Sequence, residues 1–586
     1  MAAIDGYASA TSAAPGDTVD FRLRADAAHA NFAMQIVRRG ATDTVVANYN
    51  GTAYVPGAQD DASLAINGCD WPAVQSCRTV IPEDWRSGYY VANVTSNGES
   101  TSIPLVVRSG SPGNNAKILA KLSDTTSNAY NSWGGRGLYT TPFTPRISFD
   151  RPYDDYSLYE RYQLPFIQWA ERCGYAIDYC SSLDLHTNPL ALQNYRLFLS
   201  LGHDEYWSLE MRDQVEAFIA AGGNVAFLSA NTCFWQIRFD FSNGGRIMVC
   251  YKEAEAGHPQ DPDRSDPHRV TTEWGTAPVN RPENSMTGVS YRYGAGWWND
   301  PVDPARRYRG YTVEDASHWV MSGTGLANGD TFGNGSSVDN TILGYETDAT
   351  GTGTPPDFTV LAQADLRDWT SGGQGGMATM GIYQRNGIVF TAATVNWAAG
   401  LSQDGDSTPV DRMTRNVIEA LSANPLVPVP LTNAGFEDWP NGVPSGWALD
   451  GAGTVSAEDT DPEASDNNMR FSGGGGSFSL KVDAHAGETW ISQSNFSVDP
   501  YGLCGAGCWA KASAPGATIR LQRTDTWADF ATAAHSGSGE WEYLFAMGEI
   551  TDSSSAVPAR VKIQVAAGQE AWFDDVTVRA IPDRPG

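Results

Sequence analysis

The sequence is poor in positive charge. It has 39 Lys and Arg against 68 Asp and Glu, a formal net charge of −29 over 586 residues. That balance argues against nucleic acid and anionic membrane surfaces as partners, since both would be repelled. It does not by itself point to a cationic substrate, because acidic surfaces commonly serve solubility. No run of 18 apolar residues occurs, so no membrane-spanning helix is expected. The opening Met1-Ala-Ala-Ile-Asp-Gly lacks the basic and apolar regions of a secretory signal. The repeated C-x2-C spacing of a zinc site is missing as well.

The eight cysteines fall into four local pairs: Cys69/Cys77, Cys173/Cys180, Cys233/Cys250 and Cys504/Cys508. An even number paired locally predicts disulfides and an oxidising compartment, hence an extracellular or periplasmic location. Unrelated buried thiols are the alternative, and a cytoplasmic location stays open.

The length suggests about three domains. Residues 1–110 read as short strands between Gly, Pro and Asn turns; Thr18 to Arg24 alternates polar and apolar. That predicts an immunoglobulin-like β-sandwich. The texture changes at Ala116, and residues 115–425 read as an α/β domain. Leu164 to Cys173 is a helix closed by Gly174, and Tyr175 to Cys180 the next strand. Arg196-Leu-Phe-Leu-Ser-Leu-Gly is a buried parallel strand, with a helix capped by Ser208 after it and the strand Asn224 to Ala230 beyond. This β-α-β-α-β order means a parallel sheet with right-handed crossovers, of the glutamine-amidotransferase-like kind. A helix is expected from Val410 to Ala423 and a stiff linker from Pro425 to Pro430. Residues 431–580 form a separate β unit that resembles the jelly roll of carbohydrate-binding modules, through the opening Asn433-Ala-Gly-Phe-Glu-Asp-Trp and the closing Ala571-Trp-Phe-Asp-Asp-Val.

Several clusters could carry chemistry. Gly202-His-Asp-Glu-Tyr-Trp-Ser follows a buried strand, where ligands of open α/β sheets gather. His203, Asp204 and Glu205 could supply a base, an acid or a metal ligand there. Alternatively Asp204 and Glu205 cap the helix. No Ser or Cys takes the nucleophile position of a hydrolase elbow at this turn. Asn231 and Arg238 follow the next strand and could face His203, with Arg238 binding a carboxylate or held in an internal salt bridge. Tyr291 lies in an aromatic stretch that lines a pocket or packs a core. Glu346 follows a short apolar strand and is either drawn inward or a solvated acid at a strand edge; a carboxylate drawn inward needs a partner, a metal or a raised pKa. In the last unit Glu437 and Asp575 resemble the calcium ligands of related jelly rolls, with oxygens that suit a hard cation; two solvated acids are the alternative.

Four segments carry a resemblance: Ile147-Ser-Phe-Asp-Arg-Pro-Tyr, Gly202-His-Asp-Glu-Tyr-Trp-Ser, Asn231-Thr-Cys-Phe-Trp-Gln-Ile-Arg and Gly344-Tyr-Glu-Thr-Asp. They resemble the C-terminal domain of the N,N-dimethylformamidase large subunit, over about residues 115–425. The resemblance implies hydrolysis of a small amide to an amine and a carboxylate, with a mononuclear iron held by two tyrosines and a glutamate. The glutamate falls on Glu346 and one tyrosine near Tyr291. The other falls on Phe234, which has no ligand atom, so Tyr206 on the adjacent strand end is the candidate substitute.

A C–N hydrolase acting on a small-molecule amide is therefore the leading expectation, and iron and a structural calcium are its candidate cofactors. A carbohydrate-active or carbohydrate-binding protein is the second reading, and a non-catalytic surface or assembly protein the third. The sequence leaves room for a homo-oligomer.

Overall fold

The computed structural model describes residues 3–114, 116–242, 246–298, 307–369, 375–403, 405, 407–422, 427–428, 431–458, 479–498, 503–539, 541–550 and 555–580. Contacts divide the chain into two units, residues 1–418 and 419–586. Both are rich in β-sheet, and the helices are few.

At the start of the first unit, Ser12–Ala13, Glu99–Val107, Gly88–Ser96, Asn31–Arg39 and Asp43–Thr52 form a five-stranded sheet in that order. Asn31–Arg39 alternates between exposed and buried positions. Its Phe32, Met34 and Ile36 enter a core shared with Phe21 and Leu23 of a two-stranded ladder. That is the period of a half-buried strand.

The centre of the first unit is a nine-stranded sheet. Its strands are β1 (Ile118–Leu122), β2 (Ile177–Ser181), β3 (Leu197–His203), β4 (Asn224–Ala230), β5 (Tyr311–Val313), β6 (Thr331–Phe332), β7 (Thr359–Asp365), β8 (Met377–Gln384) and β9 (Ile388–Thr391). They lie in the order β2-β1-β3-β4-β9-β8-β7-β5-β6. The first five run parallel, and β8, β7, β5 and β6 continue antiparallel. Every residue of β3 is buried, as an apolar run covered on both faces requires. Ser208 caps the helix Leu209–Ala220 by accepting from the Met211 N–H at 3.3 Å. The chain passes from β1 outward to β2 and returns to β3 on the other side of β1. Strand order therefore reverses beside the ends of β1 and β3, where such sheets open a crevice.

The second unit packs two antiparallel sheets over one core. One sheet consists of β10 (Ala448–Gly451), β11 (Thr489–Val498), β12 (Ala517–Arg523), β13 (Asp529–Ala534) and β14 (Val557–Val565), in the order β10-β11-β14-β12-β13. The linker expected at Pro425 to Pro430 lies largely outside the described residues.

The disulfide expectation is overturned, for no disulfide joins any of the eight cysteines. Cys504 and Cys508 sit four residues apart on the single strand Leu503–Lys511. Their Cα atoms are thus about 13 Å apart, and a disulfide needs less than about 7 Å. Cys69 packs with Tyr7 and Trp71 while Cys77 belongs to the sandwich core. Cys233 and Cys250 likewise belong to different clusters. The pairing that pointed to an oxidising compartment does not exist. Among the described residues no helix is long and apolar enough to cross a membrane.

Candidate functional site

His203 is the last residue of β3. Gly202 before it has φ +66°, and a Cβ there would collide with Tyr162, so only glycine lets the chain turn this closely. Asn231 follows β4 with φ 49°, a left-handed conformation that asparagine tolerates. Its backbone N–H donates to Asp348 Oδ1 at 2.8 Å, and its side-chain amide donates to Glu346 Oε2 at 3.3 Å. Glu346 opens the strand Glu346–Ala349, which pairs with Ser290–Gly296. The register is irregular between Ser290 and Ala295, and Tyr291 sits in that irregular stretch.

These segments converge on His203. Its Nε2 lies 2.8 Å from Glu346 Oε2 and 3.4 Å from Glu205 Oε2, and all three side chains are at most 5% exposed. The contacts are close enough for an ion pair, although neither ring nitrogen is aligned for a hydrogen bond. Burial alone would lower the imidazole pKa, but Glu346, Glu205 and Asp204 outweigh it and raise it to about 9. His203 is therefore an imidazolium at neutral pH. Burial raises the Glu205 carboxyl above its ordinary range, and His203 opposes that rise. Burial also raises Asp348 to about 8.

Phenols surround the carboxylates. Tyr130 donates to Glu205 Oε2 at 3.2 Å and Tyr139 to Glu205 Oε1 at 3.1 Å. The Tyr139 and Tyr206 hydroxyls are 2.7 Å apart. The Tyr130 ring lies 5.3 Å from His203, and Tyr345 stands edge-on at 6.0 Å. Burial holds the Tyr130, Tyr206 and Tyr291 phenols far above their usual pKa, so all three are neutral. In this cluster His203 Nδ1, Asn231 Oδ1 and the Tyr291 hydroxyl are buried without a partner among the described residues. Open buried donors and acceptors are what a ligand or water would satisfy.

The structure thus brings together His203, Glu205, Asn231, Glu346 and Tyr291, with Tyr206 linked to Glu205 through Tyr139. Two expected residues are directed elsewhere. Asp204 is paired with Lys121, both side chains being fully buried, and accepts from Ser200 at 2.6 Å. Arg238 pairs end-on with both oxygens of Asp261, so it is an internal ion pair and no substrate anchor. Sequence reasoning missed Tyr130, Tyr139, Tyr345 and Asp348. Tyr130 ends the helix Asp124–Tyr130 directly after β1, so the strand-end rule that found His203 would have reached it too.

The iron set implied by the resemblance does not fit the residues present. The resemblance puts two ligands on Tyr291 and Glu346, but the third falls on Phe234. Its ring stands edge-on to Tyr291 at 5.6 Å and offers no donor atom. The Tyr206 hydroxyl lies 2.7 Å from that of Tyr139, which itself donates to Glu205. Of the expected calcium ligands, Glu437 is exposed, and the side chain of Asp575 lies outside the described residues.

A family model described as N,N-dimethylformamidase beta subunit-like, C-terminal, matches residues 34–409. The chain is 23% identical over 329 residues to the N,N-dimethylformamidase beta subunit of Paracoccus aminophilus and equally to that of an Alcaligenes species. Each alignment covers 48% of this chain and 40% of the relative, so the chain spans about two fifths of the length of those relatives. Among solved structures, TmCBM61 in complex with β-1,4-galactotriose is 18% identical, with 25% of this chain and 95% of that one covered at a TM-score of 0.18. A likeness at that score carries no argument. With a family match over more than half of its length, the chain belongs to the N,N-dimethylformamidase beta subunit-like family.

Proposed function

We propose that the chain is a hydrolase that cleaves the C–N bond of a small amide in the crevice around His203, Glu205 and Glu346. One observation carries this reading: the buried His203 ring held between two carboxylates, 2.8 and 3.4 Å away, at the carboxyl end of β3. The relatives' name, dimethylformamidase, supports an amide as substrate class. The run of five parallel strands with the cluster at their carboxyl ends supports a glutamine-amidotransferase-like sheet as the scaffold.

The chemistry uses this chain's own groups. Glu205 takes a proton from water as the water oxygen attacks the amide carbonyl carbon. The His203 imidazolium faces the carbonyl oxygen as it gains negative charge. When the C–N bond breaks, Glu205 returns its proton to the nitrogen, giving an amine and a carboxylic acid. Glu346 keeps His203 charged, and Asn231 holds Glu346. Tyr139, half exposed with its hydroxyl on Glu205, links that carboxyl to solvent. Because Phe234 breaks the ligand set, iron takes no step in this scheme.

The test is amine release from a panel of formamides and acetamides by the purified chain, with and without added ferrous iron. Release that is lost in His203→Gln and Glu205→Gln supports the reading. No release under either condition overturns it.

A second reading, a saccharide-binding module in the last unit, rests on the outer face of the β10–β14 sheet, where tryptophans stand among amides and hydroxyls. Calcium held by Glu437 and Asp575 is a further proposal for that unit. Melting of the last unit at a lower temperature in chelator would support it, and unchanged melting would remove it.

A further inference from the structure

The sheet β10-β11-β14-β12-β13 turns Ile491, Ile519, Leu521, Val561 and Ile563 into the core, each 0% exposed. The alternate residues therefore face the other way. By register they form rows: Trp490 beside Gln564 beside Thr518, then Ser492 beside Lys562 beside Arg520, then Arg560 beside Gln522.

Polar side chains on an outer sheet face are normally solvated. Here Ser492, Thr518, Gln522, Lys562 and Gln564 are only 6–8% exposed, whereas Trp527, in the β12–β13 turn, is 61% exposed. A buried polar floor with an exposed aromatic at its margin describes a trough.

The floor holds two cations, Lys562 and Arg560, that make no ion pair among the described residues. Among the described residues no carboxylate comes within ion-pair distance of the Lys562 ammonium, which sits 4.3 Å from the centre of the Trp490 ring. Arg560 donates to Gln522 Oε1 at 2.8 Å and to Ser492 Oγ at 3.3 Å, and its guanidinium covers Trp527 at 4.8 Å. Only Arg520 has an acid, Asp529, at 2.6 Å. Burial lowers the pKa of both Lys562 and Arg560, and the more distant acids Asp529, Asp450 and Glu488 offset it only in part. Trp490 Nε1 and Gln564 Oε1 are buried without a partner. In a chain of net charge −29, two cations on a largely buried floor with no direct ion pair among the described residues leave room for an anion from outside.

We propose that this face binds an acidic saccharide, a uronate whose carboxylate meets Lys562 and Arg560 while its C–H face lies on Trp527. Hydroxyls of the sugar ring then find Gln564 Oε1 and Trp490 Nε1, the two buried groups left open there. A polyanion of high charge density fits less well, because the acidic chain as a whole repels it. The proposal rests on the saccharide-binding reading of the last unit and adds the charge of the ligand.

The experiment is calorimetric titration of the full chain with trisaccharides of galacturonate, glucuronate and mannuronate, with their methyl esters, and with sodium sulfate. At least one acid is expected to bind about tenfold or more tighter than its ester. Lys562→Met should bring the acid down to the ester's affinity, with thermal melting as the control for folding. Trp527→Ala, at an exposed position, should weaken acid and ester alike. An ester that binds as tightly as its acid overturns the proposal and leaves the saccharide reading standing. Failure of every saccharide overturns both. Sulfate that competes on equal terms shows a simple anion site and also overturns the proposal.

Discussion

His203 Nε2 lies 2.8 Å from Glu346 Oε2, although one residue closes β3 and the other opens a strand beyond the middle of the domain. Glu346 is the leading group that raises His203 to about 9 against its burial. If the imidazolium is needed, activity falls as pH rises through about 9. In Glu346→Gln that limb should move down toward the ordinary histidine value of about 6.5, with lower activity already at pH 7.5. Stability follows the same sign. The folded pKa is raised, so the stabilisation is complete below about pH 6.5 and is lost as pH rises through about 9. Urea melts at pH 6 and pH 10 should show a larger loss for the wild type than for the variant.

Lys121 and Asp204 form an ion pair with no exposed surface on either side chain. A pair of this kind contributes little net stability as a whole, but removal of one partner strands a buried charge. Lys121→Met should cost about 3–5 kcal/mol in urea unfolding, while the double change to Met and Leu should recover much of it. A double change as damaging as the single one would show that Asp204 has a role beyond pairing.

Phe234, which falls where the resemblance implies a tyrosine, stands edge-on to Tyr291. A phenol there would add a hard oxygen beside the Tyr291 hydroxyl and Glu346, completing a three-oxygen set for iron. Phe234→Tyr is expected to raise the iron content measured by elemental analysis, and the added Tyr291→Phe change should abolish the gain. Stoichiometric iron in the wild type would mean that another side chain supplies the third ligand.

The parallel strands were legible because burial on both faces leaves a continuous apolar run, as in Arg196 to Gly202, and the Ser208 cap because its chemistry is local. His203 and Asn231 followed from the rule that such strands gather ligands at their carboxyl ends. Arg238 satisfied the same signal but not the geometry. Its partner Asp261 comes from an irregular stretch without periodicity, so nothing in the sequence announced it. The cysteines misled for a related reason. Closeness in sequence means closeness in space only across a turn, and Cys504 and Cys508 are held apart by an extended strand.

Asp348 shares a face of its strand with Glu346 and accepts the Asn231 N–H at 2.8 Å, and burial raises its carboxyl to about 8. A raised folded pKa means that the unfolded chain releases the proton first as pH rises, so the folded state loses stability from the ordinary aspartate range up to about pH 8. Asp348→Asn keeps a neutral acceptor for the Asn231 N–H and removes the titration. The melting temperatures of the two proteins should be close at pH 4. The variant should then gain steadily on the wild type up to about pH 8, with a constant difference beyond. Parallel curves from pH 4 to pH 9 would mean that Asp348 is ionised throughout. In that case a neighbouring donor, and no shared proton, would hold the Asn231 turn against the strand that carries Glu346.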